Sequence, residues 1–395
     1  MSGASGRRVL YVNQIGQMSG AERSLLDLLG GLPPDLARAV ACPQGELAER
    51  LRERGVETYD LPATDASFRL HPLHTARGVA WVGRAGLRVR AMARRFDATL
   101  VHANSTRAGL AAVSAARTGG RPAVVHVRDW APPTRFAALT LRYLKAGAAA
   151  IVPNSRYVAA QLPRGGGRAT LRVIHDAVDV GRFDPRRIDR EAARQRIGLA
   201  ATDEVIAVIA QLTPWKGQED AVRLLGELKP ARPGLRLLLA GSAKFTAPGS
   251  RYDNLAYERR LADLIRSLGL EREVLLLGER DDVPQLLRAT DVLLVPSWQE
   301  AFGRIAVEGM AMGLPVVATS EGGPAEIVRD GVDGTVLPPR DPQRWAAAVD
   351  ELLRNPELRA EMGRRGRERA LAEFSVARHV DALLGLYREV AADSR

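Results

Sequence analysis

The sequence predicts an α/β protein built as two doubly wound domains, and three observations carry that expectation. Short apolar, β-branched runs alternate with segments of helical period along most of the chain, the pattern of strand–helix–strand crossovers onto a parallel sheet. The alternation runs through two successive halves. The length, 395 residues, exceeds what one hydrophobic core usually serves and suits two.

In chain order, the first half offers strands at Val9–Asn13, Ala37–Cys42, Thr58–Leu61, Ala98–Ala103, Ala123–Val127, Ala149–Pro153 and Arg172–His175. Between the second and third, Glu46–Gly55 places Leu47 and Leu51, with Val56 just beyond, at helical spacing. The second half offers Val205–Leu212, Leu235–Ala240, Val274–Leu277, Val292–Pro296 and Pro315–Thr319. Pro185 and a charge cluster at Asp184–Asp189 mark the expected boundary, giving domains 1–187 and 188–374. From Pro342 onward the pattern is helical (Gln343–Arg354, Pro356–Glu373, Ser375–Val390), and the last helix, 375–391, is expected to return to the first domain. Ligands of doubly wound folds sit at the carboxyl ends of the strands, so the loops that follow strands hold the candidate site.

Composition narrows the class. Hydrophobic residues make up 46% and charged residues 26%, a globular rather than disordered profile. No apolar run reaches the roughly 18 residues of a membrane span, and the polar start, Met1–Arg8, does not look like a signal peptide. Cys42 is the single cysteine, which excludes an intrachain disulfide or a thiolate metal cluster. The expected compartment is the cytoplasm, with peripheral contact at the inner membrane face as a further option. Residues 1–187 carry 28 Lys+Arg against 14 Asp+Glu, leaving 29 against 32 of the chain's 57 and 46 for the rest. That asymmetry fits an anionic partner for the first half, or Arg-rich helices that only solvate the surface. Within it, Trp81–Arg95 sets Arg84, Arg88 and Arg95 at spacings of four and seven, with Val82, Leu87, Val89 and Met92 as apolar surface. Such a segment reads as an ordinary helix packed on a sheet or as a basic helix lying on an anionic membrane.

The most informative stretch runs from Val292 to Val328. A strand ends in Ser297-Trp298-Gln299-Glu300, then Ala301-Phe302-Gly303 opens a helix carrying Glu308, followed by a strand, the turn Glu321-Gly322-Gly323-Pro324 and another helix start. Seven residues separate Glu300 from Glu308, a little over two helical turns, so both carboxylates can reach one cleft from the loop and the helix. Carboxylates accept hydrogen bonds from hydroxyl groups, and the backbone N–H groups at a helix start favour an anion. After strand Val205–Leu212, Gln211-Leu212-Thr213-Pro214-Trp215-Lys216-Gly217 holds one of only four lysines in the chain.

These segments resemble the donor-site signature of glycosyltransferase family 4, the retaining enzymes of the two-Rossmann GT-B architecture, whose domains face each other across a cleft. The resemblance is strongest over 205–340. It implies that Glu300 with the Phe302–Gly303 backbone holds a donor sugar, Glu308 the ribose, and Lys216 the donor diphosphate. Gln211 stands where many members have arginine, and Arg280 would assist at the diphosphate or line the nucleobase pocket. In the first domain, His126, in Val124–Asp129, matches the family histidine near the point of sugar transfer. The glycine turn Ile15–Glu22, with Gly16 and Gly20, would let backbone approach a phosphate or acceptor, although it lacks the full dinucleotide fingerprint. The implied reaction moves a sugar from a nucleoside-diphosphate sugar to a hydroxyl acceptor that is lipid-linked, cell-envelope or a natural product. It uses no cofactor, and because no D-x-D triplet occurs, no metal is expected. Two rivals fit less well. A nucleic-acid-binding protein would interleave basic residues with aromatics, which total only 5% here. A dinucleotide-dependent oxidoreductase would need the missing glycine fingerprint.

Overall fold

The computed structural model describes residues 7–63, 72–119, 121–132, 134–165, 167–244 and 252–392, leaving aside the side chains of 72–79; Met1–Gly6 of the polar start lies outside the described residues. The chain divides into two compact units, Met1–Ala177 with Val376–Arg395, and Val178–Ser375.

The first unit is built on seven parallel strands, β1 (Arg8–Val12), β2 (Ala37–Cys42), β3 (Glu57–Asp60), β4 (Leu100–Ala103), β5 (Ala123–Val127), β6 (Ala150–Pro153) and β7 (Thr170–Leu171), in the order β3-β2-β1-β4-β5-β6-β7. Central strands buried on both faces read as continuous apolar runs, and Val9, Leu10, Tyr11 and Val12 are at most 1% exposed. The crossover helices are α1 (Gly20–Gly31), α2 (Glu46–Glu53), α3 (Pro72–Arg95), α4 (Thr106–Gly119) and α5 (Arg135–Gly147). Right-handed crossovers put α1 and α2 on one face and α3, α4 and α5 on the other, because the strand order reverses at β1. The C-terminal helix Val376–Ala392 joins the α1 side: Leu383, Leu386 and Tyr387 enter the core with Tyr11, Leu25 and Leu28. A Cβ at Gly31 would lie 2.4 Å from Val376 Cγ1, so only glycine admits that approach.

The second unit has six parallel strands, β8 (Glu204–Ile209), β9 (Leu235–Ala240), β10 (Val274–Gly278), β11 (Val292–Val295), β12 (Val316–Thr319) and β13 (Gly334–Leu337), in the order β10-β9-β8-β11-β12-β13. Helices cover both faces of this sheet as well, with separate apolar cores on its two sides.

Three expectations need correction. The division falls at Ala177/Val178 rather than at 187/188: the Val178 N–H donates to the Phe374 carbonyl at 3.0 Å, and Val178 and Phe183 lie in the second unit's core. The charge cluster that suggested the later boundary is a turn in which Asp184 binds Arg186 and Arg367. No strand forms at Arg172–His175. There the N–H groups of Arg172 and Ile174 still reach the Ile151 and Pro153 carbonyls, so the segment runs along β6 without completing a ladder. The unforeseen β13 opens on Gly334, whose missing Cβ would lie 2.3 Å from the Val316 carbonyl oxygen. Its Asp-Gly-Thr start carries turn chemistry rather than a strand pattern. Among the described residues, no helix is long and apolar enough to cross a membrane.

Candidate active site

In the second unit, successive crossovers run one way from β8 through β9 to β10 and the other way from β11 through β12 to β13. The crevice at such a reversal, beyond the carboxyl ends of the strands, is where ligands of open α/β sheets bind. Two loops meet there. The loop after β8 makes a tight turn, Pro214–Lys216, and Gly217 at φ 72° redirects the chain into helix Gln218–Leu228. A Cβ on Gly217 would lie 2.1 Å from the Pro296 carbonyl oxygen, so this loop touches the one after β11 backbone to backbone. The Trp298 N–H closes the contact on the Trp215 carbonyl at 2.8 Å.

This juxtaposition pairs the Lys216 ammonium with the Glu300 carboxylate, 84 residues apart in sequence. Their side chains are 17% and 11% exposed. Lys216 Nζ also lies 4.1 Å from the centre of the Trp215 ring, and Ser297 Oγ donates to Glu300 at 3.3 Å. A third loop, after β12, locks Glu300 from the other side: the Glu300 N–H donates to the Glu321 carbonyl at 3.0 Å, and the Gly323 N–H to the Glu300 carbonyl at 2.9 Å. Gly322, at φ 120°, leaves no room for a side chain, because its Cβ would lie 1.8 Å from the Glu300 carbonyl oxygen. Gly322→Ala is therefore expected to destabilise the second unit by at least about 1–3 kcal/mol. That lowers its melting temperature by roughly 2–4 °C per kcal/mol for a unit of this size. Gly331→Ala is the control, since Gly331 has φ 70° and no atom near its Cβ position. Equal melting of the two variants would show that the close approach to Glu300 has no energetic consequence.

Helix Arg304–Ala311 starts after Gly303, at φ 91°. Phe302 is 3% exposed and packs edge-on against Phe374 at 6.2 Å, so its ring belongs to the core and only its backbone faces the loop. Glu308 lies one turn along the helix from Arg304, 3.5 Å away. Gln211 lies two residues beyond the end of β8, its side chain donating to the Lys244 carbonyl at 3.2 Å and its backbone carbonyl accepting from Gln218 at 2.8 Å. Arg280 is separate from this centre: it follows the edge strand β10 and is forked onto Asp282 at 2.7 and 2.6 Å. The Arg280 guanidinium holds the Asp282 carboxyl below its ordinary value.

Sequence reasoning missed a layer behind Lys216 and Glu300. Trp298 Nε1 donates to Asp220 at 2.8 Å, and the Arg340 guanidinium, on a residue at φ 62°, stacks 3.9 Å above the Trp298 ring. Burial raises the Asp220 carboxyl, and the Trp298 hydrogen bond opposes that rise. Trp298 lies inside the signature stretch, but nothing local to Arg340 or Asp220 marks them.

In the first unit the reversal lies between β1 and β4, and a buried polar cluster occupies it. Asn13 donates to Glu22 at 3.0 Å, Asn104 to Asn13 at 3.0 Å, and Ser105 to Gln14 at 2.5 Å. Burial raises the Glu22 carboxyl, while hydrogen bonds from Ser19 and Asn13 oppose the rise. Of the two glycines expected here, Gly16 packs on the loop after β2, where its Cβ would lie 2.5 Å from the Gln44 carbonyl oxygen, and Gly20 opens α1. His126 is fully buried. Its Nδ1 lies 3.0 Å from His102 Nε2 and 3.2 Å from Arg128, its ring stacks on His379 at 5.8 Å, and its Nε2 has no hydrogen-bond partner among the described residues.

Two Rossmann-like units, the second with an ammonium–carboxylate pair at its sheet reversal, define the GT-B class. Residues 18–182 match the family model Glycosyltransferase Family 4 and residues 189–369 match Glycosyl transferases group 1; the chain belongs to this glycosyltransferase family. It is 36% identical over 228 residues to D-inositol 3-phosphate glycosyltransferase of Mycobacterium marinum, a match covering 57% of this chain and 46% of that protein. The enzyme of the same name from Mycolicibacterium vanbaalenii is 37% identical over 234 residues, 58% of this chain and 49% of that one. The chain thus spans about half the length of the curated relatives it matches. Among solved structures, HepE of Anabaena in complex with UDP superposes with a TM-score of 0.81 at 25% identity, covering 97% of this chain and 100% of that one. Sucrose-phosphate synthase of Thermosynechococcus elongatus shares the fold, with a TM-score of 0.80 at 19% identity over 98% of this chain and 100% of that one.

Proposed function

We propose that this protein is a retaining glycosyltransferase that moves a sugar from a nucleoside-diphosphate sugar to a hydroxyl acceptor. The observation that carries the reading is the Lys216–Glu300 pair at the sheet reversal of the second unit, held by three loops. An ammonium there neutralises a departing diphosphate, and a carboxylate beside it accepts hydrogen bonds from sugar hydroxyls. In this reading Lys216 meets the diphosphate, Glu300 and the Phe302–Gly303 backbone orient the sugar, and Glu308 holds the ribose. Gln211 lies beside the diphosphate in the usual arginine's position. The place of Arg280 beyond an edge strand favours the nucleobase end over the diphosphate. His126 serves near the transfer point, and the Gly16–Gly20 turn serves the acceptor side.

Retention follows from front-face attack, in which the incoming hydroxyl gives its proton to the leaving phosphate oxygen. The protein contributes positioning and charge stabilisation rather than a covalent intermediate. Lys216 and backbone N–H groups take the charge-stabilising part, with no metal and no cofactor. The relatives named for D-inositol 3-phosphate and the basic first half favour a phosphorylated or lipid-linked acceptor.

A thermal-shift comparison of UDP-, GDP-, ADP- and TDP-sugars tests the donor. At 100 times its Kd, a true donor stabilises by about 2.7 kcal/mol, and the solved complexes of HepE with UDP and UDP-glucose make UDP-sugars the first choice. No shift with any of the four would overturn the donor assignment. Transfer is expected to survive EDTA and to conserve the anomeric configuration by NMR of the product. Loss in EDTA restored by Mn²⁺, or an inverted product, would overturn those two parts separately.

A further inference from the structure

The second surface of interest lies on the first unit, where α3, α4 and α5 cover one face of the sheet. These three helices contain eleven Lys+Arg and no Asp or Glu at all. They pack closely: a Cβ at Gly86 of α3 would lie 2.4 Å from Ser114 Oγ of α4, and one at Gly147 of α5 would lie 2.4 Å from Val113 Cγ1 of α4. The inward side of α3 is apolar, with Ala85, Val89, Ala93 and Phe96 at most 4% exposed. At about 100° per residue, Arg84, Leu87, Arg88, Arg94 and Arg95 share the opposite side within about 120°, and all are exposed. On α5, Arg135, Leu139 and Arg142 form the same combination. Leu87 and Leu139 are 61% and 60% exposed, the two highest values for large apolar residues among the described residues.

An Arg-rich composition alone does not explain this face. Helix Pro356–Glu373 of the second unit is as rich in arginine, yet there Arg364, Arg365 and Arg369 are paired with Glu361, Glu368 and Glu373. On α3 and α5 no carboxylate is within the same helix to pair Arg84, Arg88, Arg135 or Arg142. Unpaired like charges on one face raise the potential there and cost stability by mutual repulsion. An anionic plane relieves that repulsion, and an exposed leucine beside each group of arginines can enter its apolar boundary.

We propose that the outer face of α3, α4 and α5 is a docking surface for a membrane leaflet rich in anionic lipid. The inference rests on charge and exposure and stands apart from the transferase reading. It enlarges the basic segment Trp81–Arg95 into a two-dimensional face, since α5 supplies a second stripe 51 residues further on, counting from Arg84 to Arg135. A duplex nucleic acid is the competing anionic partner, and it has no use for two exposed leucines.

Co-sedimentation of the full chain with vesicles tests the proposal, using phosphatidylcholine alone and phosphatidylcholine with phosphatidylglycerol at about 0.1 M salt. Retention is expected on the anionic vesicles only. Each arginine close to an anionic leaflet is worth about fivefold in partition, so Arg84→Gln, Arg88→Gln, Arg135→Gln and Arg142→Gln together should lower retention more than tenfold. A charge-matched variant of the second unit, Arg186→Gln, Arg187→Gln, Arg344→Gln and Arg354→Gln, should keep nearly all of it. Leu87→Ser with Leu139→Ser should make the remaining binding more sensitive to salt. Donor-induced thermal shift, read in parallel, reports whether each variant is folded and whether the transferase reading holds. Equal retention on both vesicle types, equal loss in the charge-matched variant, or tighter binding to duplex DNA than to anionic vesicles at the same salt would overturn the proposal.

Discussion

Glu300→Ala and Lys216→Ala are each expected to lower sugar transfer by about 10²–10³-fold, the range seen when one preorganised charge-stabilising group is removed. The two side chains are mutual partners in a mostly buried pair, so either substitution also leaves its partner facing the site alone. Their effects should therefore be strongly non-additive, with the double variant about as slow as the slower single one. Glu300→Gln separates charge from shape: it keeps the volume and one acceptor but frees Lys216 from its counter-charge. Turnover at saturating donor, with circular dichroism to verify folding, measures all four variants. Normal turnover by either alanine variant would remove that residue from the active site. Fully additive losses would mean that the pair does not work as a unit.

Acidification is expected to destabilise the first unit, beginning near pH 6.5 and steepening below it. His102 and His126 are held well below their ordinary value of 6.5, first by burial and then by the nearby Arg128 charge, with His379 contributing to both. They are neutral in the folded state and protonate in the unfolded chain once the pH falls below about 6.5, so the unfolded state gains protons that the native state refuses. Each such histidine costs about 1.4 kcal/mol per pH unit between 6.5 and its own depressed value, hence about 2.7 kcal/mol per unit for both. The neighbours of the imidazoles come from every packed element: Tyr11 from β1, Arg128 after β5, and His379 and Tyr387 from the C-terminal helix. Asp176 offsets the Arg128 charge through a buried ion pair. Glu22 and Asp129, both raised by burial, work in the opposite sense where they titrate, so the histidine contribution is read over pH 7.5 to 5.5 as the difference in slope between the native protein and a variant without the two imidazoles. Urea titrations across it should show the falling stability, and His102→Gln with His126→Gln should flatten the slope even if they lower the plateau. An unchanged slope in that variant would locate the acid sensitivity elsewhere.

Much of both sheets was legible. Ala37–Cys42, Ala123–Val127 and Leu235–Ala240 form strands at the bounds expected, because an apolar β-branched run closed by turn residues leaves little choice of register. Pairing and division were less legible. Thr170–Leu171 and Gly334–Leu337 are short edge strands whose existence depends on a neighbour's free edge rather than on their own pattern. The domain boundary was drawn at the strongest local punctuation, whereas the chain changes unit where Val178 pairs with Ser375, a contact across almost two hundred residues that no local signal announces.

The sequence by itself determined the alternation of strand and helix, the doubling of that scheme, which loops carry Lys216 and Glu300, and which helix carries Glu308. Period and turn chemistry are properties of neighbouring residues and can be read from them. Only the tertiary structure decided that β8 and β11 lie side by side, so that Lys216 meets Glu300, and that Trp298, Asp220 and Arg340 stand behind them. It also decided that three helices without a single carboxylate share one face, a charge pattern spread over 76 residues from Pro72 to Gly147. Strand order and helix neighbours follow from burying two sheets' worth of apolar surface at once, and that non-local demand leaves no mark on any one segment.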